Sequence, residues 1–244
     1  YNVTLCNPLT EGTATINPAV VAHDSTVEVT VVVTAPGYHV QTIFSDEANV
    51  QTYGENADTN VTYTLTNVVS DTCIDVTFEL NNYNIVASVS DPDNGEIVPE
   101  GDSAVRYGDN VTYTIRPTND CHYISTVVVD DTTVIDVNDS VAFDYTFSAI
   151  DNNHTIVANF DIYRYEVTTS VNDATMGTIT ATDSVDCGSA FDYEVTPEFG
   201  YHIASVEVDG VAETIADSST FASSITDIHA DHSIVATFEI NHYL

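Results

Sequence analysis

The sequence predicts an all-β fold of three tandem, small β-sandwich-like repeats, each of about 80 residues, joined by continuous strands into a rod. Three observations predict it. Apolar and polar residues alternate with period two, as they do in half-buried strands. Similar stretches recur at a fixed interval, and the joints between the copies contain no linker rich in proline, glycine or serine.

The interval is set by the strand that opens each copy. YNVTL begins at Tyr1, YNIVASV at Tyr83 and YEVTTSV at Tyr165, and both intervals are 82 residues. This spacing divides the chain into a first segment (1–82), a second segment (83–164) and a third segment that includes the start of a following strand (165–244).

Further predicted strands follow in the same order in each segment. TVEVTVVVT, NVTYTIRP and AFDYEVTP come second, and NVTYTL, FDYTF and FASSI come before the closing strands CIDVTFEL, HTIVANFD and HSIVATFE. In TVEVTVVVT, Val27, Val29, Val31 and Val33 fall on one face, and threonine or glutamate falls on the other. Threonine, valine and tyrosine favour strands, and a single helical turn is predicted near SDEANV, residues 45–50.

The joints predict a stiff array. Phe78 is followed by ELNNYNIVASV and Phe160 by DIYRYEVTTSV, so a strand is expected to run from each segment into the next. A unit of this size is marginally stable alone, and contacts between neighbours are expected to stabilise it.

The two ends follow the same pattern. The chain stops at FEINHYL, where Tyr243 stands at the position that opens a new copy, and it starts at Tyr1 without a methionine. We expect a window of a longer array. The alternative is that EINHYL is a strand donated to another subunit, which would extend a filament by β-augmentation.

The charge is strongly acidic, with 38 acidic residues against 3 basic ones and a formal net charge of -35. Repulsion excludes nucleic acid and anionic membrane surfaces as partners. Salt or divalent cations would screen the self-repulsion, so we expect an extracellular or cell-surface location with saline or calcium. No apolar run approaches the roughly 18 residues that span a bilayer, so no membrane insertion is expected.

The four cysteines show no CxxC spacing, which argues against zinc knuckles and redox motifs. An even number in an exported chain permits two disulfides, and four cysteines allow three pairings. Sequence order favours Cys6 with Cys73 and Cys121 with Cys187, and reduced, buried cysteines are the alternative.

The stretches GYHIASVEVDG, YTFSAIDNNHTIVANF and ADHSIVATF resemble the divergent internalin B-repeat family, also called the Listeria–Bacteroides repeat. The resemblance extends over the chain and is strongest in the third segment. The first segment departs most, with TIFSDEA in place of VDG and DTCI in place of DHTI. The resemblance implies a non-enzymatic, β-rich module of bacterial surface and secreted proteins that acts as a stalk or spacer, and sometimes as an adhesive surface.

Histidines in these motifs are interpreted as structural. His39 and His202 align with Tyr123, so a general base at this position would be absent from the second segment. Strict alternation places His202 on the face of Val206 and Val208. The sequence shows no serine, histidine and aspartate grouping, phosphate loop or nucleophilic cysteine motif, so we expect no catalytic residue and no required cofactor.

The sequence offers two candidate metal sites. His229 and His232 would share zinc only on a helical turn, and no third ligand is evident, so zinc there is not favoured. DPDNGE places Asp91, Asp93 and Glu96 around a glycine, and oxygen-rich loops of this kind bind calcium. The alternative is a polar turn, in which aspartate, asparagine and glycine are favoured for backbone reasons.

Three functions stay open. The first is a non-enzymatic stalk, spacer or filament segment of a bacterial surface protein, with neighbouring repeats or copies of itself as partners. The second is an adhesive module for a glycan or protein, with calcium in some cases; the third is the strand-donating filament subunit. A stalk predicts equivalent loops without a shared pocket, whereas a binding module predicts a concave, aromatic-lined site.

Overall fold

The computed structural model describes residues 1–45, 50–54, 58–216 and 218–242. Throughout these ranges the regular elements are strands and no helix occurs, which confirms the all-β prediction. A helix of the length and apolarity that a membrane span requires is therefore missing from the described part of the chain. The helical turn predicted at residues 45–50 falls on residues 46–49, which lie outside the described residues.

The strands are short and follow one another closely. The first segment contains β1 (Val3–Leu5), β2 (Gly12–Asn17), β3 (Ser25–Val33), β4 (Tyr38–Phe44), β5 (Val50–Thr52), β6 (Asn60–Val68) and β7 (Thr72–Leu80). The next strands are β8 (Asn82–Val89), β9 (Gly95–Val98), β10 (Gly101–Arg106), β11 (Val111–Pro117), β12 (His122–Val129), β13 (Thr133–Asp139), β14 (Phe143–Phe147) and β15 (His154–Ile162). The last strands are β16 (Arg164–Val171), β17 (Gly177–Ile179), β18 (Asp183–Asp186), β19 (Phe191–Pro197), β20 (Tyr201–Val208), β21 (Val211–Ala212), β22 (Phe221–Ile225) and β23 (His232–Ile240).

Each segment has a larger and a smaller sheet. The larger sheets have the strand orders β1-β7-β4-β5, β10-β8-β15-β12-β13 and β18-β16-β23-β20-β21. The smaller sheets have the orders β2-β3-β6, β14-β11-β9 and β17-β19-β22. In each larger sheet the opening strand pairs in parallel with the closing strand, and the other pairs are antiparallel. The closing strand therefore lies inside its sheet, with neighbours on both sides.

Each pair of sheets encloses its own hydrophobic cluster. The three clusters lie within residues 3–78, 83–160 and 165–238, and they share no residue. The predicted inward face of β3 is confirmed, because Val27, Val29 and Val31 are fully buried. This is the core that period-two alternation predicts for two sheets packed face to face.

A glycine lies beneath the last phenylalanine of each closing strand. A Cβ atom added to this glycine would overlap the phenylalanine ring, so the close approach requires glycine. The pairs are Gly12 with Phe78, Gly95 with Phe160 and Gly177 with Phe238. The glycine thus lets the ring fill the space between the two sheets.

A β-bulge changes the face of His202. The register of β20 on β23 shifts between Ile203 and Ser205, so Ile203 and Val206 both face the core. His202 pairs opposite the exposed Glu239 and lies on the outer face. The prediction that His202 shares the face of Val206 was therefore wrong, because an extra residue in a bulge reverses the alternation of faces.

Candidate functional site: the junctions between segments

A single residue separates the strands of neighbouring segments at the first junction. Strand β7 ends at Leu80 and β8 begins at Asn82, so the predicted continuous strand is interrupted at Asn81. The N–H of Asn81 donates to Gly37 O at 2.8 Å, and the Asn81 carbonyl accepts from Tyr107 N–H at 2.9 Å. One hydrogen bond therefore ties Asn81 to the first segment and the other ties it to the second.

The second junction repeats this arrangement at Tyr163. Tyr163 lies between β15 and β16; its N–H donates to Cys121 O at 2.9 Å, and its carbonyl accepts from Cys187 N–H at 2.8 Å. Both backbone polar groups of the connecting residue are thus paired. Rotation about either junction would break these bonds.

The contact that closes each junction differs. At the first junction Gly37, with φ of 76°, lies against the ring of Tyr107, and a Cβ at Gly37 would overlap that ring. At the second junction the equivalent positions are Cys121 and Cys187, which form a disulfide with a Cα–Cα distance of 5.3 Å. The second junction therefore has a covalent bond at the position where, in the first junction, the ring of Tyr107 packs against Gly37.

The second disulfide lies within the first segment. Cys6, next to β1, is bonded to Cys73 on β7, with a Cα–Cα distance of 4.9 Å. It joins the opening strand to the closing strand of that segment. These are the two pairs that sequence order favours.

The histidines that alternate with tyrosine contact the residue three positions after the closing-strand phenylalanine, which is the connecting residue at both junctions. The pairs are His39 Nδ1 with Asn81 Oδ1 at 2.9 Å, His202 Nδ1 with Asn241 Oδ1 at 3.1 Å, and the rings of Tyr123 and Tyr163 with centroids 4.8 Å apart. Histidine thus occurs with asparagine, and tyrosine occurs with tyrosine. The structural interpretation of these histidines stays a prediction, and these contacts support it.

Sequence reasoning missed the residues that these histidines and Tyr123 contact. Asn81, Tyr163 and Asn241 each stand three positions after the phenylalanine of the closing strand. Asparagine stands at this position in the segments that have histidine at 39 or 202, and tyrosine stands there in the segment that has tyrosine at 123. This paired exchange is a signal that would have identified the contact.

The aromatic pair of the second junction lines an open groove. Its volume is about 580 Å³, and its lining residues are Tyr123, Asn138, Asp161, Ile162, Tyr163 and Arg164. Burial, and then the nearby Asp161 carboxylate, raise the pKa of the Tyr123 hydroxyl above its usual 10.0. Arg164 is paired with Asp186 at 2.6 Å. The groove therefore offers a tilted pair of rings, a carboxylate and an amide to a polar ligand.

Two aspartates link a tight turn to the closing strand. Asp209 has φ of 51°, its Oδ2 accepts from His232 Nδ1 at 2.6 Å, and its Oδ1 accepts from Ser233 N–H at 2.8 Å. Asp130 makes the same contacts with His154 and Thr155. The hydrogen bonds from His232 and Ser233 hold the pKa of Asp209 below its usual 3.8.

We expect Asp209→Asn to lower the free energy of unfolding at pH 7 by about 1 kcal/mol, after allowance for solvent screening. Asparagine tolerates the left-handed turn, so the effect comes from the lost charge. Because the folded pKa is depressed, this contribution is present above pH 3.8 and is lost as the pH falls through the folded pKa. Urea unfolding of the variant and the unmodified chain at pH 7 and pH 3 measures this difference in the free energy of unfolding. Asp131→Asn, at another left-handed position with φ of 55°, is the control. A difference for Asp209→Asn that is as large at pH 3 as at pH 7 would contradict the prediction.

The predicted calcium loop does not gather its three carboxylates. Asp91 Oδ1 accepts from Asp93 N–H at 3.0 Å within the turn, and Glu96 lies on β9 opposite Arg116 of β11. Among the described residues, the group of three metal-ligand side chains within 4.8 Å of one another is Cys121, Cys187 and His229, without His232. Calcium at residues 91–96 stays a prediction.

The comparisons with known proteins give one family. A family model described as "divergent InlB B-repeat domain" matches residues 167–242, which confirms the resemblance for that part of the chain. No curated protein matches the sequence.

Two solved structures share weak likeness with the chain. The Bacillus anthracis TIE protein is 9% identical with a TM-score of 0.27, over 95% of this chain and 50% of that one, so the chain spans half of its length. The I9–I11 tandem of titin is 10% identical with a TM-score of 0.15, over 92% of this chain and 98% of that one. At these TM-scores neither likeness bears on fold or function.

Proposed function

Since residues 167–242 match the divergent InlB B-repeat domain, a domain of bacterial surface proteins, we propose that this chain is a stiff, non-enzymatic stalk or spacer segment of such a protein outside the cell. The observation that supports it is the one-residue connection at each junction. Asn81 and Tyr163 are each hydrogen-bonded on both sides. Neighbouring segments are thereby coupled without a flexible linker.

Further contacts reinforce each connection. His39 and Asn81 are both buried, at 1% and 8% exposed, and the Cys121–Cys187 disulfide crosses the second junction. Each backbone bond contributes about 1 kcal/mol, and a disulfide contributes more. Bending therefore costs several interactions at once, as a spacer requires.

The closing strand of the third segment is already paired. Strand β23 lies between β16 and β20, and Asn241 N–H donates to Gly200 O at 2.8 Å. Donation of residues 239–241 to another subunit would break these bonds. For this reason we propose a spacer, with adjoining repeats as partners, and not a strand-donating filament subunit.

The stiffness is tested by small-angle X-ray scattering at low and high salt. We expect the maximum dimension of the chain to stay unchanged between 0.01 M and 1 M salt, although the screening length falls from about 30 Å to about 3 Å. In a hinged chain with a net charge of -35, segments would move apart at low salt.

The matched control replaces Asn81 with a flexible glycine–serine hexapeptide. This variant is expected to compact as salt is added, because its first junction has lost both hydrogen bonds. Compaction of the unmodified chain to the same extent would overturn the spacer proposal.

A second function, adhesion to a glycan, is favoured by the groove beside Tyr123 and Tyr163. Aromatic faces with nearby polar groups suit the apolar and hydroxyl surfaces of a sugar. The other junction offers no such pair, because its equivalent residues are His39 and Asn81. Adhesion would be added to the spacer role and does not replace it.

The exchange of tyrosine for the histidine–asparagine pair separates binding from stability. We expect Tyr163→Asn alone to destabilise the second junction by about 1 kcal/mol through loss of the ring contact. Adding Tyr123→His should recover this loss, because the double variant recreates the pair of the first junction. Urea unfolding measures both variants.

The same double variant provides the control for adhesion. On a glycan array the unmodified chain is expected to bind a sugar that the equally stable double variant does not bind. Equal signals from the two proteins, or no signal from either, would exclude the groove as an adhesive site.

A further inference from the structure

We propose that the second junction is a zinc-class metal site in its thiol form: Cys121, Cys187, His229 and Asp120 hold one divalent ion when the disulfide is reduced. The junction is then closed either by the disulfide or by the metal. The two cysteines are 9% and 6% exposed, so the sulfur ligands lie inside the junction. The Asp120 side chain is 85% exposed and marks the side from which an ion enters.

The distances fit tetrahedral coordination. With Zn–S bonds of about 2.3 Å and Zn–N or Zn–O bonds of about 2.0–2.2 Å, neighbouring ligand atoms lie about 3.3–3.8 Å apart. His229 Nε2 is 3.5 Å from Cys121 Sγ and 3.8 Å from Asp120 Oδ1. The ligand atoms of Cys121, Cys187 and His229 all lie within 4.8 Å of one another. Small side-chain rotations complete the set once the sulfurs separate.

The orientation of His229 leaves the correct nitrogen for a metal. Its Nδ1 lies 2.9 Å from the carbonyl oxygen of Asp227, which only accepts, so Nδ1 carries the proton and donates. The Nε2 lone pair of the neutral ring therefore faces Cys121 Sγ. A backbone carbonyl on the remote nitrogen is the usual way in which proteins orient a histidine ligand.

The ligands stay in place without the disulfide. Two hydrogen bonds, from Gly188 N–H to Ile228 O at 2.8 Å and from Ile228 N–H to Ser189 O at 3.1 Å, hold the His229 loop against the turn that carries Cys187. The two bonds of Tyr163 hold Cys121 and Cys187 on either side of the junction. Reduction therefore removes one bond from a network that is otherwise intact.

The three ligand residue types coincide at this junction. The first junction has Gly37 and Tyr107 where the second has Cys121 and Cys187. It has Asp151, next to the buried Ile150, where the second has His229 next to Ile228. A disulfide needs the two cysteines and does not need the histidine. A metal site, by contrast, requires both cysteines and the histidine, and the second junction differs from the first at all three positions.

The chemistry balances with a dithiol or phosphine reductant. A dithiol gives two hydrogen atoms to the disulfide, becomes a disulfide itself, and leaves Cys121 and Cys187 as thiols. A phosphine is oxidised to the phosphine oxide by taking the oxygen of one water molecule, whose two hydrogens go to the two sulfurs. Zn²⁺ then replaces the two thiol protons, which are released to solvent. The bound state has two thiolates, one neutral imidazole and one carboxylate around the ion.

The test uses the full chain with Cys6→Ser and Cys73→Ser, reduced with a phosphine and titrated with Co²⁺ alone under anaerobic conditions. We expect one equivalent of Co²⁺ to give the visible bands of tetrahedral cobalt with a thiolate charge-transfer band, and Zn²⁺ to displace it. His229→Gln should weaken binding by at least about tenfold, and Asp120→Asn should weaken it by less.

The control carries Cys121→Ser and Cys187→Ser and keeps Cys6 and Cys73. After reduction it offers two neighbouring thiols with no histidine in a ligand group with them. Tetrahedral bands of equal strength in this control, or unchanged affinity in His229→Gln, would overturn the proposal. Far-ultraviolet circular dichroism follows the fold of the reduced chain. If reduction unfolds the third segment, Zn²⁺ must restore its signal, and failure to do so would also overturn the proposal.

Discussion

Phe238→Ala is expected to lower the free energy of unfolding of the third segment by about 3–5 kcal/mol. Phe238 is 1% exposed, and its ring fills the space above Gly177. Asn172 fixes its backbone from both sides, since its side chain donates to Phe238 O and accepts from Phe238 N–H, each at 3.0 Å. Alanine would leave a cavity that Gly177 has no side chain to fill.

Hydrogen exchange of third-segment peptides measures this change, because it assigns the loss of stability to one segment of the chain. Phe199→Ala is the control: Phe199 is 99% exposed, and its loss is expected to change stability by no more than about 0.5 kcal/mol. Equal effects of the two substitutions would contradict the role of the ring.

Gly177→Ala gives an independent check of the same contact. When Phe238 is present, the Cβ added at position 177 would meet its ring, and we expect the free energy of unfolding to fall by about 1–3 kcal/mol. In the Phe238→Ala background the ring is absent, so the same substitution should be close to neutral. Additive effects of the two substitutions would show that the ring and the glycine do not interact.

Gly37→Ala is expected to destabilise the first junction by about 2–4 kcal/mol, of which about 1–2 kcal/mol is the cost of a Cβ in the left-handed conformation. Gly37 has φ of 76°, and the added Cβ would overlap the ring of Tyr107. The amide of Asn81, which donates to Gly37 O, should then exchange faster with solvent.

Gly200→Ala separates the two causes. Gly200 occupies the equivalent position in the third segment with φ of 93°, and no described atom lies within 4 Å of a Cβ there. It should therefore show the backbone cost alone. If Gly37→Ala and Gly200→Ala lose the same stability, the contact with Tyr107 does not contribute to the junction.

Much of the fold could be predicted because strand signals are local. The alternation in β3 correctly placed Val27, Val29 and Val31 in the core. The motifs of the third segment identified the family that matches residues 167–242. The division into three repeats stays a prediction: the buried residues form three hydrophobic clusters, and the family match extends over the third segment alone.

The candidate site could not be predicted to the same extent. His202 was placed on the wrong face because the bulge after Ile203 leaves no mark in a pattern of period two. The groove beside Tyr163 combines residues 161–164 with Tyr123 and Asn138, which are distant in sequence, so no local stretch contains it. The sequence pairs His229 with His232, three positions later, whereas the structure places it beside Cys121, which is 108 residues away.

By itself, the sequence determined which stretches are strands, at what interval they recur and which faces are apolar, because these properties depend on residues one or two positions apart. The tertiary structure alone decided which side chains meet at the junctions. Contacts such as His39 with Asn81, or Cys121 with His229, depend on strand register, bulges and the packing of one segment on the next. Those are properties of distant residues, and they give the second junction a disulfide that the first junction lacks.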